Sequence, residues 1–143
     1  MTIQFKSIKD LRVMLDQKSI SASELIQESL KLEKKYKELN CFVTMNEDIS
    51  SKKASLIDQD KKKDSMLSGI PLAQKDLFCT EGLRTTCSSK ILENFIPPYT
   101  ATAVEKLEDA GSITIGKTNM DEFAMGSSNE TSYFGNAHNP WKK

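Results

Sequence analysis

The sequence predicts an α/β fold in which a group of helices precedes the first strands of a sheet. Two observations point to it. Amphipathic segments with serine start signals occupy most of the first 60 residues, and short apolar or β-branched runs follow residue 69 on either side of a helical segment. We therefore divide the chain into a helical preface, 1–68, and the start of an α/β core, 69–143. A chain of 143 residues is long enough for one domain with a buried core.

Two serine start signals define the first helices of the preface. Ser7 and Ser21 each stand three residues before an acidic residue, the spacing of a capping box, which predicts helices that end near residues 17 and 39. The second helix is amphipathic and should bury one apolar face. The residues expected on that face are Leu25, Leu32, Tyr36 and Leu39, with Ile26 and Leu30 at its border. We interpret this face as core packing, and a docking surface for a partner is the alternative.

The α/β core follows a short apolar run at 41–45, a more polar third helix at 47–60 and a linker at 64–69. It opens with Gly-Ile-Pro-Leu-Ala-Gln-Lys-Asp, in which a turn leads into an apolar run that ends at Lys75. If that run is a buried strand, Lys75 lies at its C-terminal end, where parallel sheets place their ligand sites. A lysine with little water around it has a lowered pKa and can act as a base near neutral pH. The alternative is a strand that ends as its first charge reaches solvent.

A helix and a second strand should complete a βαβ unit. Thr102 and Glu105 have capping-box spacing, and Gly111 stands where a helix often ends in a left-handed residue. The run 113–115 is β-branched and predicts a strand. Strand, crossover helix and strand in this order imply a parallel pair.

The segment 111–118 also matches the phosphate-loop pattern G-x-x-x-x-G-K-[ST], in which Lys117 would bind phosphate and Thr118 would bind magnesium. However, a phosphate loop follows a strand, whereas a predicted helix precedes this segment, and residues 112–115 alternate like a strand. We interpret the segment as a strand and keep a nucleotide-binding module as an alternative. Thr118 is then expected to cap a short helix at 119–125, followed by a loop.

Composition argues against several classes of function. Lysine plus arginine and aspartate plus glutamate number 20 each, so the chain has no excess of positive charge for binding DNA. No apolar run approaches the length of a membrane span, and the N-terminus has no apolar signal region. Cys41, Cys79 and Cys87 contain no C-x-x-C pair, which is typical of free thiols in a reducing cytoplasm. A Cys₃His zinc site with His138 lacks the close ligand pairs of structural zinc sites, so we expect no metal.

Four stretches, in order over the second half of the chain, resemble the amidase-signature family. They are the motif that ends in Lys75-Asp76, the segments Thr-Thr-Cys-Ser-Ser-Lys-Ile-Leu-Glu-Asn-Phe at 85–95 and Gly-Lys-Thr-Asn-Met-Asp-Glu-Phe-Ala-Met-Gly-Ser-Ser at 116–128, and Asn-Pro-Trp at 139–141. The resemblance implies an α/β/α fold around a mixed sheet, of which this chain would hold the N-terminal part with the first strands.

The resemblance also implies a catalytic mechanism. The family's catalytic unit is a lysine and two serines, and the lysine matches Lys75. Neutral Lys75 would deprotonate, through a bridging serine, the serine that attacks the amide carbonyl, and hydrolysis of the acyl-enzyme would follow release of ammonia. Met125, Gly126 and Ser127 match a loop near the acyl pocket, which implies substrate contacts, although a solvent loop that closes a helix is the alternative. Both family serines are expected beyond Trp141, so we expect this chain alone to be inactive.

More narrowly, the resemblance is to the glutamine-hydrolysing subunits of tRNA-dependent amidotransferases. It implies that ammonia from glutamine passes to a second, kinase and transamidase subunit, which uses ATP and Mg²⁺ to convert Glu-tRNA(Gln) to Gln-tRNA(Gln), and that a small linker subunit completes a cytoplasmic heterotrimer. No cofactor is expected on this chain. Two alternatives are a family member that hydrolyses another amide and a non-catalytic piece that acts only by association.

Overall fold

The computed structural model describes residues 3, 5–59 and 65–141, which form a three-stranded mixed sheet with helices. Its helices are α1 (Ile8–Asp16), α2 (Ala22–Lys35), α3 (Glu47–Gln59) and α4 (Thr102–Asp109), and its strands are β1 (Phe42–Met45), β2 (Pro71–Lys75) and β3 (Ile113–Thr118). Single 3₁₀ turns lie at Lys37–Leu39, Lys90–Leu92 and Glu122–Ala124. The predicted α/β class is confirmed. Within these residues, no helix is long and apolar enough to span a membrane.

The sheet has the strand order β1-β3-β2. β2 runs parallel to β3, so the predicted βαβ unit is confirmed. β1, which the sequence indicated only as a short apolar run, pairs antiparallel with the other side of β3 and makes the sheet mixed. β2 therefore lies at one edge of the described sheet, and its last residue is Lys75. The division of the chain at 68/69 stays a prediction.

The two predicted capping boxes of the preface are confirmed. At the start of α2, the hydroxyl of Ser21 accepts a hydrogen bond from the Glu24 amide at 3.1 Å, and the Glu24 carboxylate accepts one from the Ser21 amide at 2.8 Å. The carboxylate of Asp58 accepts from the Ala22 amide at 2.7 Å and thereby ties the last turn of α3 to the first turn of α2. The predicted end of α3 at Asp60 lies outside the described residues.

The predicted apolar face of α2 is wrong in part. The helix ends at Lys35, so Tyr36 and Leu39 lie beyond it, and Tyr36 is 41% exposed. Because α3 and β3 cover α2 along its i, i+4 stripe, the buried face contains residues that the sequence placed at its border. The buried residues are Ala22, Leu25, Ile26 and Leu30.

The hydrophobic core lies between the sheet and the helices of the preface. Its main cluster joins α2, α3 and β3, and contains Ala22, Ile26, Leu30, Ala54, Ile113 and Ile115. A second cluster joins α1 and α2 to the start of β2, and contains Leu11, Leu25 and Ile70. The buried face of α2 is therefore explained by core packing. β3 has β1 and β2 on its two edges, and the helices α2 and α3 pack on one of its faces.

The start of α4 differs from the prediction, whereas its end agrees. The capping box of Thr102 and Glu105 is wrong, since the N-cap residue is Ala101 and no side chain caps the helix. Gly111 confirms the predicted stop with a φ of +88°. A Cβ atom on Gly111 would lie 2.8 Å from the Cα of Ser68, so glycine also allows the close approach of the two chain segments.

The predicted helix at 119–125 is wrong. Thr118 is the last residue of β3 and caps no helix, and only the single 3₁₀ turn Glu122–Ala124 forms. Phe123 and Ala124 have φ values of +51° and +60°, which a continuing α-helix does not allow. The polar side chains that precede this turn bind a loop instead.

Candidate active site

Lys75 lies at the end of β2, where its Cα pairs with that of Thr118 in β3. The predicted position at a strand's C-terminal end is confirmed. The side chain of Lys75 is exposed within the described residues, as in the alternative of a strand that ends where its first charge reaches solvent. Since side chains alternate along an edge strand, Gln74 and Asp76 point into the protein and are 6% and 0% exposed, while Lys75 points to the uncovered face. Its role as a base stays a prediction.

The carboxylate of Asp76 holds the loop 85–88 beside Lys75. It accepts hydrogen bonds from the backbone amide and hydroxyl of Thr86 and from the amide of Ser88 at 3.3 Å. The carbonyl of Asp76 also accepts from the Cys87 amide at 3.0 Å. A fully buried carboxylate requires such donors in place of water. They compensate for left-handed φ values of about +50° at the consecutive residues Cys87 and Ser88.

Lys117 is fully buried and lies in β3. Its Nζ donates hydrogen bonds to the carbonyl of Phe78 and to the hydroxyl of Thr80, the latter at 3.2 Å. Burial lowers the pKa of Lys117, and the nearby negative charge of Asp76 opposes that shift. The nucleotide-binding alternative is therefore wrong, because residues 113–118 form a paired strand and the ammonium is already bound inside the protein.

The side chain of Asn119 connects three segments around the end of β3. Its Nδ2 donates to the carbonyls of Asn40 at 3.1 Å and Gly135 at 2.8 Å. Its Oδ1 accepts from the hydroxyls of Ser88 at 3.2 Å and Ser132 at 2.6 Å. The loop held by Asp76 is thus joined to the C-terminal loop through this side-chain amide and through the Tyr133 amide, which donates to the Ser88 carbonyl at 2.9 Å.

Asp121 fixes the C-terminal loop itself. Its carboxylate accepts from the amides of Ser128 at 3.0 Å, Asn129 at 2.7 Å and Thr131 at 3.1 Å, and from the Thr131 hydroxyl at 3.0 Å. These donors, first among them the Asn129 amide, lower the pKa of Asp121 from 3.8 to about 2. Asp121 is therefore ionised at neutral pH, and its hydrogen bonds hold the loop 128–131 around the carboxylate.

Met125, Gly126 and Ser127 form an exposed segment in front of this carboxylate, and Met125 is 82% exposed. A Cβ atom on Gly126 would lie 2.6 Å from the Cγ of Asp121, so the segment packs directly on the carboxylate. The structure links this segment to Lys75 indirectly, since the amide of the nearby Phe123 donates to the Cys87 carbonyl at 2.9 Å and the Cys87 amide donates to the Asp76 carbonyl at 3.0 Å. Whether the segment contacts substrate stays a prediction, and the alternative of a loop that closes a helix is weakened because that helix does not form.

Ser88 and Ser89 bind within this frame. Ser88 donates to Asn119, and the hydroxyl of Ser89 donates to the carboxylate of Glu122 at 2.5 Å. Both serines are fully buried and hydrogen-bonded within the protein, and we assign them no catalytic role. Sequence reasoning missed the supporting roles of Asp76, Asn119 and Asp121, although Asn and Asp directly after a strand are a signal for side-chain bonds to loop backbone.

The part of the chain that the structure describes contains no group of three or more His, Cys, Asp or Glu side chains that could hold a metal ion. Cys41 is exposed, and Cys79 and Cys87 are partly buried. The thiol of Cys79 donates to the hydroxyl of Tyr99 at 3.4 Å. Burial raises the pKa of the Cys87 thiol, which favours its neutral form.

A family model described as amidase matches residues 24–143. The chain belongs to the amidase family. The predicted resemblance is thereby confirmed, and the match covers most of the preface as well as the core.

Two curated relatives within the amidase family are each named as the A subunit of glutamyl-tRNA(Gln) amidotransferase. That of Hahella chejuensis is 49% identical over 138 residues, and that of Coxiella burnetii is 50% identical over 139 residues. These matches cover 94% and 95% of this chain but only 28% and 29% of those proteins.

Solved structures of amidases contain a region with the same fold as this chain. The A subunit of glutamyl-tRNA(Gln) amidotransferase from Thermotoga maritima matches with a TM-score of 0.81 and 34% identity, over 99% of this chain and 29% of that one. Peptide amidase from Stenotrophomonas maltophilia matches with a TM-score of 0.88 and 26% identity, over 97% of this chain and 31% of that one. This member of the amidase family therefore spans less than a third of the length of the relatives that it matches.

Proposed function

We propose that this chain is part of the glutamine-hydrolysing amidase subunit of a glutamyl-tRNA(Gln) amidotransferase, and that Lys75 is its catalytic base. The observation that carries this proposal is the near-50% identity to proteins of that name along almost the whole chain. The position of Lys75 supports it, since the carboxyl end of a strand in an α/β sheet is where ligand sites form.

In the proposed reaction, the neutral amine of Lys75 takes a proton, through a bridging serine, from the serine that attacks the side-chain amide of glutamine. The carbon–nitrogen bond breaks, ammonia leaves with a proton, and water hydrolyses the resulting ester to glutamate. The serines would come from polypeptide that corresponds to the remaining length of the relatives. That polypeptide would pack on the uncovered face of β2 and exclude water from the amine of Lys75.

Met125, Gly126 and Ser127 are proposed to contact the substrate. Their exposure and the anchoring of their loop by Asp121 support this role, because a binding loop needs both an accessible surface and a fixed backbone.

The partners follow from the same assignment. We propose a cytoplasmic heterotrimer in which the kinase and transamidase subunit binds ATP, Mg²⁺ and the tRNA, the small linker subunit joins the two larger ones, and this chain holds no cofactor. The preface, 1–68, and the core, 69–143, would be its two parts. No binding of DNA or of a membrane is proposed.

A second candidate is a family member that hydrolyses a different amide. It is favoured by the structural match to a peptide amidase, whose TM-score of 0.88 exceeds the 0.81 of the Thermotoga maritima amidotransferase. Assays of the intact subunit with glutamine, asparagine and a C-terminally amidated peptide distinguish the two candidates, because only an amidotransferase should prefer glutamine.

The first test measures ammonia released from glutamine by the chain alone and by the chain mixed with a polypeptide that corresponds to the remaining part of the Hahella chejuensis relative. We expect ammonia only from the mixture. Lys75→Ala should lower that activity by about 10²- to 10⁴-fold, the usual contribution of a general base. Lys106→Ala, which alters an exposed lysine on α4, is the matched control and should leave the activity unchanged.

Two outcomes would contradict the proposal. Full activity of Lys75→Ala in the mixture would remove Lys75 from the reaction. Release of ammonia by the chain alone, if it required Lys75, would show that a nucleophile is already present among residues to which we assign no catalytic role.

A further inference from the structure

Lys117 is a buried cation that the proposed reaction does not use. Lysine is rarely fully buried unless it is paired, yet the relative exposure of Lys117 is 0%. Both acceptors of its ammonium, the Phe78 carbonyl and the Thr80 hydroxyl, belong to the turn at 76–80 that directly follows Lys75. Its hydrogen bonds therefore act on the segment that leaves β2.

The turn is held from two sides. On the sheet side, the amide of Phe78 donates to the carbonyl of Lys75 and the amide of Asp76 donates to the carbonyl of Thr118, both at 3.1 Å. On the inner side, the Nζ of Lys117 donates a hydrogen bond to the carbonyl of Phe78. Since Lys117 and Thr118 are neighbours in β3, one short piece of that strand contacts both ends of the turn.

We propose that Lys117 is a positioning residue that fixes the direction in which the side chain of Lys75 leaves the sheet, by clamping the turn at 76–80 from inside the protein. The proposal rests on the proposed role of Lys75 as the base. Lys117 itself would touch neither substrate nor reacting atoms.

The chemistry of the site favours an ammonium over a neutral residue at this position. An ammonium has three donors, and the carbonyl of Phe78 and the hydroxyl of Thr80 accept two of them. Burial lowers the pKa of Lys117, and the nearby negative charge of Asp76 opposes that shift. A methionine at 117 would fill much of the same space but would leave the Phe78 carbonyl without this donor, so the turn would loosen while the strand remained.

Amide hydrogen exchange on the chain tests the clamp directly. In Lys117→Met, the amides of Asp76 and Phe78 should exchange about tenfold faster or more, while the buried amides of α2 keep their rates. The ε-carbon NMR resonance of Lys75 should shift in the same variant. Lys117→Arg, which keeps the donors, should restore part of the protection, and Lys106→Met is the control with no expected change.

A second variant covers the case in which Lys117→Met does not fold. Thr80→Val removes one acceptor and keeps the lysine, and it should raise the same two exchange rates by a smaller factor. Unchanged rates at Asp76 and Phe78 would overturn the proposal. A uniform rise that includes α2 would also overturn it, because Lys117 would then be an ordinary core residue.

The glutaminase mixture separates this proposal from the proposed function. There, Lys117→Met should lower kcat and leave KM almost unchanged, since the substrate contacts are elsewhere. If the exchange rates respond but Lys75→Ala has no effect on activity, the clamp stands and the assignment of Lys75 fails. If Lys75→Ala abolishes activity while the exchange rates stay fixed, the clamp fails and the proposed function stands.

Discussion

At the scale of single residues, the frame around Lys75 depends on polar side chains that replace missing backbone partners. Asp76 and Asp121 each bind several amides of one loop, and Asn119 binds three segments that lack regular secondary structure. Buried backbone amides need an acceptor, and a carboxylate or amide oxygen near the end of a strand supplies it. The geometry of these loops therefore depends on a few atoms. The next two predictions concern the carboxylate of Asp121 and the glycine that packs against it.

Acid should weaken the C-terminal loop only at unusually low pH. The pKa of Asp121 is lowered to about 2 in the folded protein, so its carboxylate stabilises the fold fully above about pH 4 and loses that effect as the pH falls towards 2. Asp121→Asn lacks the charge at every pH. The difference in thermal midpoint between wild type and Asp121→Asn should thus be largest above pH 4 and shrink towards pH 2. A difference that stayed constant over this range would contradict the assigned pKa.

Gly126→Ala should lower the free energy of unfolding by about 1–3 kcal/mol, because its Cβ would stand 2.6 Å from the Cγ of Asp121 and force the loop to move. Ser127→Ala, at the exposed neighbouring position, is the matched control and should change it by less than about 0.5 kcal/mol. Urea unfolding of both variants gives the comparison. Equal stabilities would show that the loop yields without cost.

At the scale of elements, the helices of the preface begin where their side chains predict. Ser7 and Ser21 form complete capping boxes with acidic residues in the first turn. α4 begins without a side-chain cap, and Thr100 instead accepts a hydrogen bond from the Glu81 amide at 3.0 Å. A hydroxyl side chain therefore serves a helix in one place and a loop in another, depending on which amide lies within reach.

Ser21→Ala should destabilise the protein by about 1 kcal/mol, because it removes the acceptor of the Glu24 amide at the start of α2. Ser23→Ala, two residues into the same helix, is the matched control and should be neutral or slightly stabilising, since alanine has the higher helix propensity. Chemical denaturation measures both. A cost for Ser23→Ala equal to that for Ser21→Ala would argue against a capping role.

At the scale of the whole molecule, local signals predicted the order of helices and strands, while contacts between distant segments decided where the elements end. β3 extends through Gly116 and Lys117, neither a strong strand former, because both pair with β1 and β2. The short helix predicted at 119–125 fails because Asn119 and Asp121 bind loop backbone, an interaction that competes with helix formation.

In the candidate site, too, local sequence signals predicted some features, and contacts between distant segments decided others. The position of Lys75 at a strand end follows from the apolar run before it, whereas its exposure depends on which strand lies at the edge of the sheet. The burial of Lys117 was not predicted, because the residues around it also match the phosphate-loop pattern, in which the lysine would bind phosphate. The alternation of residues 112–115 favoured a strand, and the pairing of β3 with both neighbours, which brings together residues far apart in the chain, establishes it.

The mixed sheet has a consequence for how the protein folds. β1 pairs with β3, and the whole of α3, β2 and α4 is synthesised between them. Contacts between segments so distant in sequence form slowly, because a long loop must close first. We therefore expect α2 and α3, which are close in sequence, to pack together first, while the stripe of Ala22, Ile26 and Leu30 stays partly open to water until β3 has been synthesised.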